Sequence, residues 1–160
     1  MRSSAKPYKQ KGFSLIELLI VVAIILIIAA IAIPNLLRSK IAANQASAVA
    51  SMRTLNTSAS LYSSSYGVLP TAISQLGGTG AVTSTNSEFI DSVLAGANVA
   101  PGKSGYTFTW AGGGTTGAYT INADPVSTST GTVHYFTDTS LVIRSNTTAA
   151  ATVNDTPIGQ

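Results

Sequence analysis

Residues 12–34 read GFSLIELLIVVAIILIIAAIAIP, and the organisation of the whole chain follows from this stretch. Between Phe13 and Ile33 the only charged side chain is Glu17. As a helix rising 1.5 Å per residue, those residues would extend about 31 Å, close to the ~30 Å hydrocarbon core of a bilayer. The stretch is therefore long enough and apolar enough to span a membrane, and the remaining sequence divides into what precedes it and what it carries.

Charge is distributed around this stretch asymmetrically. The chain has a net charge of +3 and a pI near 9.3, but Arg2, Lys6, Lys9 and Lys11 all precede the apolar run. Removing those four from the nine Lys and Arg leaves five positive against six negative side chains. The body is thus nearly neutral, and the basic pI belongs to a topogenic signal: positive charge beside a hydrophobic helix stays cytoplasmic and sends the C-terminal part outward. A specific nucleic-acid partner gets no support from this pattern. Cysteine is absent, which excludes disulfides, thiol catalysis and Cys-ligated zinc. At 160 residues there is room for one small domain after the helix. An ordinary secretory signal cut near Ala30-Ile31-Ala32 is disfavoured, because the apolar run exceeds the ~7–15 residues of such signals and a helical pattern continues beyond Pro34.

Within this frame Gly12-Phe13-Ser14-Leu15-Ile16-Glu17 resembles the class III signal of type IV pilins and pseudopilins. The likeness is specific from Lys11 to about Leu37, where glycine, aromatic, glutamate, apolar run and proline all fall at the family's spacing, and becomes general beyond. The resemblance implies a prepilin whose leader, residues 1–12, is removed by a membrane peptidase that cuts after Gly12 and methylates Phe13. The apolar helix, residues 13–34, is then kept as anchor and later as filament core. Glu17 is implied to pair with the N-terminal amine of an adjacent subunit, fixing axial register, and Pro34 to kink the helix. Independently of the family, a carboxylate one turn inside the boundary needs a partner, and Pro34 removes a helical N–H, so a kink or locally unwound segment is expected near 30–34.

Beyond Pro34, Leu37, Ile41, Ala48, Val49, Met52, Leu55, Ala59, Tyr62 and Tyr66 recur at three- and four-residue steps, with polar residues mostly between them. This predicts an amphipathic continuation over 35–66, ending at Gly67 with Pro70 just beyond. Residues 67–105 read as a connector with two short helices, 71–76 and 86–94, the second opened by a Thr85-x-x-Glu88 capping box. In the last third the period changes. YTFTW (106–110), AYTINA (118–123), VHYFT (133–137) and 141–144 read as four strands joined by short loops, hence an antiparallel meander over 106–144. Tyr106, Phe108, Trp110, Tyr119 and Ile121 would face the helix, with Val133, Tyr135, Leu141 and Ile143 as partners. Residues 145–160 read as a loose polar tail or an edge segment. The expected class is α+β and pilin-like: one long helix, hydrophobic then amphipathic, packed on a four-stranded sheet.

No catalytic constellation emerges, and neither metal nor cofactor is expected. His134 is the lone histidine, Glu88 and Asp91 suit a solvated face, Asp124-Pro125 reads as a turn, and Gly112–Gly114 opens no helix and brings no lysine. The strand aromatics are explained by packing without invoking a sugar or single-stranded DNA. Asn56-Thr57-Ser58 and Asn146-Thr147-Thr148 match a glycosylation sequon of low specificity; Asn56 is expected to be packed, and the Ser/Thr-rich surface leaves O-glycosylation open.

Two functions from different classes follow: a structural subunit that polymerises into a helical filament, or a monomeric membrane-anchored binding domain. For the first, the resemblance implies a prepilin peptidase/methylase and an assembly platform as partners, the bacterial inner membrane as first location and a cell-surface filament for adhesion, motility or DNA uptake as destination. Within this class a major pseudopilin of type II secretion is the alternative. Major pseudopilins usually carry a calcium-binding loop near the C-terminus, and no matching acidic cluster is present here. The paired cysteines that close the C-terminal loop of many pilins are absent too, so strand pairing alone would have to hold that region.

Overall fold

A computed structural model describes residues 12–78 and 82–159; residues 1–11, the body of the expected leader, lie outside the described residues. The chain divides at Leu37–Arg38 into two compact units. One helix, α1, runs Leu15–Tyr66 and contains Pro34 without interruption of its helical assignment, so the locally unwound variant of the Pro34 expectation is not what forms. In the first unit every large apolar side chain from Phe13 to Leu37 is exposed, from 46% at Val22 to 80% at Leu15.

The second unit is built on the remainder of α1. Ala48, Met52, Leu55, Ala59 and Tyr62, at steps of three and four, are all buried, each of the larger ones contributing about 1.5–3 kcal/mol of apolar burial. Gly67, at φ +72°, takes the left-handed conformation that ends the helix.

The connector departs from expectation. A single 3-10 turn, Ile73–Gln75, replaces the first short helix, and α2 spans only Ser92–Ala95. Residues 86–91 are not helical because their backbone donors are used elsewhere. Ser87 N donates to Gln75 O, and Phe89 N and Ile90 N both donate to Leu76 O, a parallel bridge between Gly77 and Ile90 completing the contact. With those N–H groups satisfied across the connector, the Thr85-x-x-Glu88 box has no helix to cap. Asp91 caps α2 instead, accepting from Leu94 N at 2.9 Å, and binds Lys103 at 2.8 Å.

The sheet has five strands rather than four: β1 (Tyr106–Gly112), β2 (Tyr119–Pro125), β3 (His134–Asp138), β4 (Arg144–Asn146) and β5 (Thr156–Pro157), antiparallel in sequential order. Asp124 and Pro125, expected in a turn, close β2. The inner face carries Tyr106, Phe108, Tyr119, Ile121, Ala123, Tyr135, Thr137 and Ile143, all buried. Trp110 is half-buried and stacks on Tyr119 at 4.6 Å. Leu141 is the misplaced member of the predicted face: Leu141 N bonds Asp138 O and Ser140 N bonds Asp138 Oδ1. This tight turn holds Leu141 at φ +62° and 51% exposed, and β4 begins only at Arg144.

Residues 145–159 are not a loose tail. Asn122 Nδ2 donates to Ala151 O at 2.9 Å beside the buried Phe136, its cross-strand neighbour on the outer face, so the segment after β4 covers that face before returning as β5. Asp155 fastens the return. Its carboxylate accepts from Thr152 N, Thr152 Oγ1 and Asn146 Nδ2 at 2.6–2.9 Å, and its carbonyl accepts from Arg144 at 3.1 Å. Strand pairing is therefore supplemented by a polar clasp.

Both outer edges of the sheet are occupied or short. On the free side of β1, Phe108 N donates to Ala97 O, and Lys103 and Tyr106 exchange a pair of backbone bonds; β5 is two residues long and ends in Pro157.

Candidate processing and assembly site

The predicted site residues lie at the start of α1. Gly12, Phe13 and Ser14 are non-helical and exposed, Phe13 at 79%, and nothing lies within 4 Å of where a Cβ on Gly12 would stand. The Gly12–Phe13 peptide bond is thus non-helical and exposed among the described residues. Helical bonding starts with Leu18 N donating to Ser14 O at 3.2 Å.

Glu17 reaches back over this first turn, where its Oε2 accepts from Ser14 N at 2.9 Å. Ser14 is the N-cap and Glu17 the third helical residue, so the side chain satisfies a backbone N–H that the helix leaves unpaired, and the negative charge complements the positive end of the helix dipole. Ser14 is the residue that sequence reasoning passed over, although the Ser14-x-x-Glu17 spacing was available to find it. Pro34 lies several turns further along, inside the helix; being imino, it leaves the Ala30 carbonyl without its usual donor.

The other polar candidates do not gather into a reactive centre. His134 Nδ1 and Asp124 Oδ1 meet at 2.6 Å across β2 and β3, a cross-strand pair on the outer face. Glu88 is exposed at φ +54°. Among the described residues no group of three or more His, Asp or Glu is placed to hold a metal ion. A cavity of about 560 Å³ is lined by Ser60, Ser63, Leu69, Gly114, Tyr119 and Leu141 among others, with no base among its lining residues. Of the two sequons, Asn56 is buried and bonded to Thr137 and Tyr119. Asn146 spends its oxygen on Thr148 and Ala149 and its amide on Asp155.

Residues 7–33 match the family of the prokaryotic N-terminal methylation motif. The chain carries the signature of type IV pilin and pseudopilin precursors. No curated protein matches the chain. The match ends one residue before Pro34, so the pilin-type headgroup is characterised by its fold: a long helix against an antiparallel sheet, α+β and pilin-like. Motif and fold together are those of a structural-subunit precursor, and the motif with its long apolar helix fits membrane anchoring.

Proposed function

We propose that this pilin-type precursor is cleaved after Gly12, methylated at Phe13 and polymerised through its apolar helix into a type IV pilus-like filament on the cell surface. The observation that carries this reading is the exposure of an entire spanning-length apolar helical stretch that lies within the matched methylation motif. In the precursor, lipid covers that surface; in the filament, identical helices do. The same exposure disfavours a monomeric tethered domain only in combination with the motif, since a simple anchor needs neither Glu17 nor an open Gly12–Phe13 bond.

Glu17 has a role in each state. A carboxylate at the bilayer centre costs about 2.5–3.5 kcal/mol on insertion scales; Glu17, one turn inside the boundary, costs less than that, and a charge-assisted hydrogen bond such as that from Ser14 N contributes about 1.5–3 kcal/mol. The cap therefore makes Glu17 tolerable while the subunit waits in the membrane. Once the Phe13 amine is freed by cleavage, the amine of a neighbouring copy becomes the stronger partner. A pilus rather than a secretion pseudopilus is favoured by the C-terminal carboxylates: Asp138 accepts from Ser140 N, and Asp155 is held by Thr152 and Asn146, protein donors that compete with calcium.

The test is mass spectrometry of filaments sheared from cells. A major protein beginning with N-methylated Phe13 supports the reading; retention of Met1, or a mature chain starting at Ile33, overturns it. Glu17→Leu should leave membrane insertion intact and abolish sheared filaments, and wild-type filament yield from that variant would remove Glu17 from the assembly scheme.

A further inference from the structure

Five of the six carboxylates are engaged: Glu17 with Ser14 N, Asp91 with Lys103, Asp124 with His134, Asp138 with Ser140 N and Asp155 with Thr152 and Asn146. Glu88 is the exception among the described residues, exposed and without a hydrogen bond or ion pair. It is also held in a conformation that a glutamate avoids, φ +54°. The neighbours explain why it stays there: Ser87 is tied through both N and Oγ to Gln75 O, and Phe89 N and Ile90 N to Leu76 O. A strained residue fixed on both sides by bonds that do not involve its own side chain is the pattern of a side chain displayed for use.

The cations offer a counterpart. Lys103 and Arg144 have partners, whereas the Arg38, Lys40 and Arg53 side chains are exposed and have none among the described residues; of these three, Arg53 is set in a hollow. It lines a concavity of about 440 Å³ with Asn56, Thr57, Ser60 and the outward-held Leu141. Position around α1 separates the two features. Ser58 donates to Phe89 O, so the Glu88 loop lies on the Ser58 side of the helix. Ser58 is five residues from Arg53, which at 3.6 residues per turn is about 140° of rotation and only about 7.5 Å of rise. The buried residues Met52, Leu55, Ala59 and Tyr62 fall between these flanks. The headgroup thus carries a displayed anion on one side and an unpartnered cation in a hollow on the other, at nearly the same height. They are not paired within one molecule; a two-fold dimer would pair them twice and close, whereas head-to-tail copies pair them repeatedly without closing.

We infer that Glu88 of one copy docks against Arg53 of the next, forming a lateral, heterologous contact between headgroups. The occupant of the Arg53 hollow is therefore a second copy of this chain, through its 86–90 loop. The inference rests on the filament reading above and extends it to a specific lateral pair.

The chain has no cysteine, which allows a direct test on intact filaments. A full-length chain carrying both Glu88→Cys and Arg53→Cys, oxidised as sheared filaments and run without reductant, should give a ladder of trimers and larger species. Either single-cysteine chain should stop at dimer. In parallel, Glu88→Arg and Arg53→Glu should each lower filament yield at least several-fold with an unchanged membrane pool, and the double charge swap should restore most of it. Wild-type yield from both single charge variants, an intramolecular disulfide closed within one double-cysteine chain, or filaments without a ladder would overturn the pairing. Absence of any methylated Phe13 filament from the wild-type chain would instead overturn the assembly reading on which it rests.

Discussion

Asn56→Leu puts a number on the polar contact that sets the helix against the sheet. Asn56 lies on the buried stripe of α1, 6% exposed. Its Nδ2 donates to Thr137 Oγ1 at 3.0 Å, and its Oδ1 accepts from Tyr119 Oη at 3.2 Å; Thr137 is fully buried and Tyr119 nearly so. Replacement by leucine keeps the number of side-chain heavy atoms but leaves two hydroxyls without their partner. Each unsatisfied buried group costs about 1–3 kcal/mol, partly offset by the extra apolar burial of leucine, so the expected loss is about 2–4 kcal/mol. The measurement is denaturant unfolding of the detergent-solubilised chain, followed through the fluorescence of Trp110, the single tryptophan, which stacks on Tyr119. If orphaned hydroxyls are the cause, adding Tyr119→Phe and Thr137→Val should recover at least half of the loss at unchanged m. A loss below about 1 kcal/mol, or a triple variant no more stable than Asn56→Leu, would refute the argument.

Three further outcomes can be checked with the same unfolding signal. Burial, reinforced by negative charge on Tyr135 for Tyr106 and on Asp138 for Tyr119, pushes both phenols up to about 12. The unfolded chain ionises near 10 and the folded one later, so their contribution is intact below pH 10 and lost as pH rises from 10 to about 12; Tyr119→Phe should flatten part of that loss. Gly113→Ala should cost at least about 2 kcal/mol, because Gly113 sits at φ +95° and a Cβ would overlap the Pro70 carbonyl oxygen where Leu69 pairs with Gly114; an unchanged midpoint would show that this crossing can move. Leu141→Asn should raise stability by about 0.5–1 kcal/mol by relieving φ +62° at a half-exposed position, and a decrease would mean that Leu141 is held by contacts with its own headgroup.

The long helix and the meander were legible because each rests on period: three-and-four spacing from Leu37 to Tyr66, and alternation in YTFTW and AYTINA. The connector was not, because its local signals are outvoted by backbone pairing between segments distant in sequence. The two capping boxes make the point. Thr85-x-x-Glu88 has the right letters and no helix, since Gln75 and Leu76 take the donors that a helix would use. Ser14-x-x-Glu17 has the same pattern beside a more conspicuous apolar run, and its Glu-to-backbone half forms. For residues 145–160 the sequence leaves open a loose tail or an edge segment, and the edge alternative forms as β5; a polar, Ala/Thr-rich segment carries no periodicity to decide this, and its order comes from side-chain bonds involving Asn122, Asn146 and Arg144. The expected processing and assembly residues Gly12, Phe13, Glu17 and Pro34 lie in one local pattern of sequence, whereas the exposure of Glu88 at φ +54° is fixed by pairing across the connector.

The treatment of the sheet's margins bears on how such a protein avoids the wrong polymer. On the proposed filament reading, a chain concentrated in a membrane and stacked on copies of itself is at risk of joining through open strands, which leads to amyloid-like ribbons. Here the β1 margin is blocked by backbone bonds from Ala97 and Lys103, and the opposite margin is a two-residue strand closed by proline, a residue without a donor to offer. Strand addition is thereby hindered at both margins, and on the proposed filament reading copies would join through side-chain surfaces instead.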